Sequence, residues 1–276
     1  MYMYEHLQNI GRLYGDAYVQ IPNGVFKDLA QSIKSRNSTN IQQSSFAYTY
    51  LVTIAFLYKY AHFVDIDNGT YIQNSDIKQI LGYGKTTKTI DKVIKKNGIL
   101  DSLGLVRTTK DYPIGVEYAE TGDIALREFI TISMLDTDDI NYNTIKDIVK
   151  NRNYEIKEPT FLFEYGGDLG SLYNYNNTHR IDLKEFMKLV YDDSMDNTDF
   201  MMYSFFKSKC YGYKDNMRSI ALHKIVLEMG MSRDTFYIHL NKLKEKGYVT
   251  VNHKGWRMMN EKNDNLESND YYFNKI

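Results

Sequence analysis

Proline is scarce in this sequence, with 3 in 276 residues, and 17 glycines add little more, which leaves no room for long low-complexity linkers. Cysteine is scarcer still. The single one, Cys210, excludes an intramolecular disulfide, suits a reducing compartment and cannot by itself build a zinc finger. A membrane span needs about 20 mostly apolar residues. The most apolar stretch, Phe46 to Phe63, is cut by Thr49, Thr53, Lys59 and His62 and reads as a buried helix. Met1 to Glu5 lack the basic stretch and apolar core of a secretory signal. These absences predict a soluble, cytoplasmic chain with no membrane contact.

Hydrophobic residues at 43% and charged residues at 25% give the composition of a folded chain, long enough for one large core or two ordinary ones. A net charge of −1 conceals a segregation along the sequence. Lys85 to Lys110 holds seven Lys/Arg against Asp91 and Asp101, and Phe200 to Arg257 holds eleven against four acids. Asp111 to Asp199, between them, holds nineteen acids and eight bases. Cations clustered on particular elements are the footprint of a nucleic-acid partner, although the same pattern fits ordinary solvated faces.

The second basic segment carries a helix-turn-helix pattern. Thr198-Asp199 caps a helix through Phe205, Phe206 and Lys209, Tyr213 to Arg218 turns, and Ser219-Ile220 is a short strand. Leu222, Ile225, Val226 and Met229 form one helical stripe that ends at Gly230. Ser232 caps a third helix, Arg233 to Lys246, which buries Phe236, Leu240 and Leu243 and turns Arg233, Tyr237, Asn241 and Lys244 outward. Gly247 stops it. Tyr248 to Val251 alternates as a strand, His253 to Gly255 turns, and Trp256 to Met258 returns. Helix, turn, helix and basic hairpin is the winged helix-turn-helix order. Arg and Asn can bond base edges bidentately, and Lys254 in the wing suits phosphate.

The first half repeats the order. Phe46 to Phe63 is a helix, Tyr71-Ile72 a strand, and Asn74 caps a helix with Ile77, Ile80 and Leu81 inside, closed by Gly82. Thr86 or Thr87 caps a third helix with Ile90, Val93 and Ile94 inside and Thr89, Lys92 and Lys96 outside. Leu105 to Thr108 leads into a wing around Lys110 to Pro113. Before this unit, Tyr18 to Pro22 reads as a strand, Val25 to Ser32 as a helix and Ser35 to Ser44 as a polar loop. The expected fold is α+β, mainly α. It comprises a winged-helix domain at 1–115, an acidic α/β connecting or dimerisation segment at 116–197, in which Ile181 to Tyr191 looks helical, and a second winged-helix domain at 198–276. The two units are expected to be separate modules.

Several chemical motifs fail. Gly84-Lys85-Thr86 ends like a phosphate-binding loop, but Gln79 stands where its first glycine belongs and a helix precedes it. Asp65 to Gly69 resembles a calcium loop, yet Thr70 takes the glycine position and Asp76 that of the bidentate glutamate. The six histidines show no ligand spacing, and no pair of them flanks a single apolar residue, as in plasmid-nicking enzymes. The sequence therefore predicts no catalytic residue, no metal and no cofactor.

Two winged helices preceded by Tyr18-Val19-Gln20-Ile21-Pro22 and Phe26, with Tyr211 to Asn216 before the second unit, resemble plasmid and phage replication initiators of Gram-positive bacteria. The resemblance implies a non-enzymatic protein that binds repeated origin sites in double-stranded DNA, as a homodimer, and recruits host replication factors. Arg233, Thr235, Tyr237, Asn241 and Lys242 would then read the origin, beside the Ser232 cap and Lys244. Thr86, Thr87, Lys88, Lys92 and Lys96 would be the first unit's equivalents, and Arg107, Lys110 and Lys254 would serve the wings. A transcriptional regulator, a partition protein or a protein-binding winged-helix adaptor would use the same parts.

Overall fold

The structure is a computed structural model that describes residues 2–35, 41–121, 124–150, 153–165, 171–173, 176–254 and 268–276. Eleven α-helices are found among them: α1 (Tyr2–Tyr14), α2 (Val25–Ser35), α3 (Ile41–Lys59), α4 (Asn74–Ile80), α5 (Asp91–Ile94), α6 (Ile99–Ser102), α7 (Ile140–Ile148), α8 (Leu183–Val190), α9 (Asn197–Cys210), α10 (Leu222–Met229) and α11 (Arg233–Glu245). The strands are β1 (Tyr18–Pro22), β2 (Val64–Asp65), β3 (Thr70–Tyr71), β4 (Val106–Thr109), β5 (Pro113–Thr121), β6 (Ile124–Thr131), β7 (Ile156–Pro159), β8 (Phe163–Tyr165), β9 (Ser171–Tyr173), β10 (Thr178–Asp182), β11 (Met217–Ile220), β12 (Val249–Asn252) and β13 (Asn269–Phe273). The fold is α+β, mainly α. No helix among the described residues is long and apolar enough to cross a membrane.

Helices α3 and α9 organise the rest. From Gln43 to Lys59 every residue of α3 is buried, and α9 buries the unbroken run Thr198 to Lys207. A helix without a polar face is stable only when it is surrounded by other elements. The two pack against each other, with α2, β1 and β7 also against α3, and α8, α11, β10 and β13 against α9. One apolar cluster runs from Leu7 to Phe273. The two halves therefore share a core, in place of the separate modules that the sequence predicts.

The acidic segment is woven into that core. Its strand β7 pairs antiparallel with β4 (Val106 opposite Pro159, Thr109 opposite Ile156), and β10 pairs with β1 from Tyr18–Asp182 to Pro22–Thr178. Between β4 and β7 lie the β5–β6 hairpin and α7, and β5, β6, β9 and β8 form a four-stranded sheet in that order. A boundary at residue 115 or 116 falls inside β5, and long-range pairing of this kind leaves no periodic mark in the sequence. Helix α3 begins at Ile41, where a polar loop to Ser44 was expected; residues 36–40 lie outside the described ones.

Burial fixes the state of His179 on β10. Its Nδ1 donates to Asn23 Oδ1 at 3.0 Å, which leaves Nε2 to accept from the Tyr48 hydroxyl at 2.8 Å, and Phe26 stacks on the ring. Burial, with Lys207 adding to it, pulls its pKa down to about 3.

Residues 196–276 expressed alone should lack a cooperative thermal transition by circular dichroism, because the α3-facing side of α9 is then exposed to water; a native-like melt would restore the two-module reading. Below the usual histidine value of about 6.5 the unfolded chain takes up a proton that folded His179 refuses. Stability should therefore fall as pH drops from about 6.5 toward 3, by at most about 1.4 kcal/mol per pH unit for this group. Urea titrations at pH 7 and pH 4.5 measure it, and His179→Gln should flatten the slope by about one proton.

Candidate nucleic-acid interface

The α10–α11 pair is built by local signals. Helix α10 buries Ile225 and Met229, and Gly230 ends it with φ 65°, its N–H bonded to the Leu227 carbonyl and that of Met231 to Val226. A second constraint falls on the same glycine: a Cβ there would lie 2.8 Å from Ala30 Cβ on α2. Ser232 then caps α11, its Oγ accepting from Thr235 N at 3.1 Å. Helix α11 buries Phe236, Leu240 and Leu243, as the spacing predicts, and also His239, whose Nδ1 lies 2.6 Å from the fully buried Asp199 carboxylate. After α11, strands β12 and β11 flank β13, so the last strand to be made is the central one. The return strand expected at Trp256 to Met258 lies outside the described residues, and the strand that pairs with β12 is β13, with Val249 opposite Phe273.

Four of the expected contact residues share the outer face of α11. Arg233, Tyr237, Asn241 and Lys244 are all exposed, with the Tyr237 ring in edge contact with Phe236. Four others have intramolecular work. Ser232 and Thr235 bond to each other, hydroxyl to hydroxyl at 2.8 Å. Lys242 is turned toward α9, where it donates to Asp199 at 2.9 Å and lies 3.5 Å from Asp196. Lys254 lies 3.0 Å from Asp270 and 3.4 Å from Ser219 Oγ, so it braces the β11–β13–β12 sheet where an unengaged wing cation was expected.

The first unit departs further from expectation. In place of a third helix from Thr87 onward there are two short turns, α5 and α6, separated by Asn97 at φ 58° and Gly98. A Cβ on Gly98 would lie 2.6 Å from the Lys95 carbonyl oxygen, too close for any other residue. The Asn-Gly dipeptide is a strong turn signal, and it separates α5 from α6. Thr86, Thr87 and Lys88 precede α5 on a loop, and the Thr87 carbonyl accepts from the buried Lys78 Nζ at 3.2 Å. Lys78 also pairs with Asp91 and so pins this loop to α4. Lys92 is half-buried on α5, while Lys88, Lys96 and Lys110 are exposed. Arg107 directs Nε (2.9 Å) and a terminal nitrogen (2.6 Å) to one oxygen of Glu158 on β7. Gln73, not Asn74, caps α4: its N–H donates to Asp76 at 2.9 Å, and Asn74 accepts from Tyr50 instead. Likewise Asp196, not Thr198 or Asp199, caps α9.

The basic and acidic blocks of the sequence thus neutralise each other in part. Lys207 meets Glu185 at 2.5 Å and Lys246 meets Asp192 at 2.7 Å, and Lys242 adds its pair with Asp199. Each joins a cation of the second basic segment to an acid of the middle one. Comparison with protein families, with curated proteins and with solved structures finds no match.

Gly230 is a tight joint between α10 and α2. Gly230→Ala should destabilise the protein by roughly 1–2 kcal/mol for the left-handed backbone alone, with more from overlap with Ala30. Combining it with Ala30→Gly should cost less than the sum of the two single changes. Strict additivity in chemical denaturation would show that α2 and α10 do not press on each other there.

Proposed function

We propose that this chain binds double-stranded DNA through a winged helix-turn-helix formed by α9, β11, α10, α11, β12 and β13, with α11 as the reading helix. The observation that carries the reading is the face of α11: Arg233, Tyr237, Asn241 and Lys244 stand exposed along one side while Phe236, Leu240 and Leu243 lock the other into the core. The element order and the β11–β13–β12 sheet support it, since helix, strand, helix, helix and a hairpin whose second strand lies centrally is the winged-helix arrangement. Arg233 and Asn241 carry the two side chains suited to bidentate contact with guanine and adenine edges.

The first unit contributes phosphate contacts, not a second reading helix. Lys88, Lys95 and Lys96 are exposed around the short α5 turn and suit a sugar–phosphate backbone. The resemblance to replication initiators makes repeated origin sites, a homodimer and host replication factors the partners of choice, with no catalytic step by this chain. A protein-binding adaptor is the second reading, favoured by the apolar side chains of Leu227 on α10 and Ile238 on α11, 72% and 60% exposed.

Selection of bound duplexes from a random pool, followed by competition binding, tests the proposal. If Lys88, Lys95, Lys96, Arg233, Lys244 and Lys224, which is exposed on α10, meet phosphate or base, log K should fall with log salt at a slope of about −5. Arg233→Ala and Asn241→Ala should each cost about 1–3 kcal/mol on the selected site and little on random DNA. Lys244→Ala should weaken both and make the slope shallower by about one. No selected motif and a flat salt response would favour the adaptor.

A further inference from the structure

Histidines 56 residues apart in the sequence meet at the base of α1. His6 on α1, His62 in the turn after α3 and Asp65 on β2 are all buried, and one ligand atom from each lies within 4.8 Å of the other two. The spacing of these residues carries no ligand pattern; only the docking of α1 brings them together. His62 Nε2 is buried without a hydrogen-bond partner, its nearest charged neighbour being Asp65 Oδ2 at 3.7 Å. Buried polar atoms are rarely left in that condition.

The other two groups are already oriented. His6 Nδ1 lies 3.1 Å from the His62 carbonyl oxygen, which can only accept, so the proton is on Nδ1 and the Nε2 lone pair points onward. That lone pair accepts from the Thr70 hydroxyl at 2.8 Å. An imidazole held by a carbonyl through one nitrogen is the way proteins present the other to a metal. Asp65 is fixed by three donors, Asn9 Nδ2 (3.0 Å), Asn68 Nδ2 (2.8 Å) and Asn68 N (3.1 Å).

We propose that His6 Nε2, His62 Nε2 and Asp65 Oδ2 form a site for a zinc ion that clips α1 to the β2–β3 hairpin. Two imidazoles and one carboxylate are a zinc donor set, with the fourth position left to water. Loading requires the Thr70 hydroxyl to release His6 Nε2, and the three atoms to draw in to roughly 3.4 Å apart, as bonds of about 2.0–2.1 Å in a tetrahedron demand. The cluster of Asp196, Asp199 and His239 is a weaker candidate, because Lys242 and His239 already occupy the two oxygens of Asp199. The inference is independent of DNA binding.

The test uses the full chain, stripped with a chelator and titrated with Zn2+ against a chromophoric competitor. One equivalent should bind and raise Tm by several degrees, and Co2+ in its place should give the strong visible absorption of a four-coordinate ion. His62→Gln and Asp65→Asn should weaken binding more than about 100-fold, while His239→Gln leaves it unchanged. Since His62 Nε2 has no partner to lose, His62→Gln should melt like the metal-free parent. Thr70→Val, which removes the competing hydroxyl and keeps all three ligands, should bind at least as tightly. The proposal is overturned if no equivalent binds, if His62→Gln binds as well as the parent, or if His239→Gln abolishes binding.

Discussion

Everything in this structure depends on two helices that have no face for water. Once α3 and α9 pack together, the chain must supply enough other elements to surround both, and it draws them from every part of its length. Their buried charges decide which ones. Lys59 at the end of α3 donates to the Tyr18 carbonyl at 2.6 Å with its ammonium over the Tyr18 ring, which holds β1 in place. Lys207 on α9 takes Glu185 of α8, and Tyr203 donates to the same carboxylate at 2.9 Å. Asp199 takes His239 and Lys242 of α11. Removing one partner of a buried pair leaves an uncompensated charge and costs about 3–5 kcal/mol, so these contacts select one arrangement of neighbours even where they add little net stability.

The same pairs change the meaning of the charge pattern. In the sequence, a block of −11 between blocks of +5 and +7 looks like an acidic spacer between two DNA-binding surfaces. In the fold, part of each block faces the other. Burial pulls the Lys207 ammonium below its ordinary pKa, against the attraction of Glu185, so this cation belongs to the core. Hydrogen bonds from Lys246 and Ser194 hold Asp192 at about 2. The positive surface left exposed is therefore smaller than the count of Lys and Arg suggests.

How much was legible in the sequence divides along the line between local and distant causes. The stretch from Ser219 to Val251 was readable almost element by element, because Gly230, Ser232 and Gly247 mark ends that their own neighbours enforce. Arg233, Tyr237, Asn241 and Lys244 follow from helical spacing alone. Lys242, by contrast, is one residue from Asn241, and nothing local says that its long side chain folds back to an acid 43 residues earlier. Arg107 and Lys254 carry ion pairs that are hidden for the same reason, each with a carboxylate on a strand that the sequence reading does not contain. The His6–His62–Asp65 cluster was invisible because helix α1 was not foreseen at all. The apolar spacing of Ile90, Val93 and Ile94 predicts a helix from Thr87, but the stretch before Asp91 is a loop held by Lys78 of α4, a contact that leaves no local mark in the sequence.

Helix α2 gives the clearest view of what a shared core does to function. It packs on α10, with Ala30 against Gly230, on α3 and on α6 at the end of the first unit's helical turns. The helix that precedes the proposed reading helix is therefore braced by an element from the N-terminal region. Two modules on a flexible linker gain affinity through effective concentration and tolerate a range of spacings between their targets. Units fixed in one core have no such tolerance: a target that matches their separation engages both without further loss of chain entropy, and one that does not engages only one. Under the DNA-binding reading, discrimination then comes from two sources of different kind, base contacts along α11 and the fixed distance from α11 to the lysines around α5. The second needs no side chain that reads a base, only a core that does not flex.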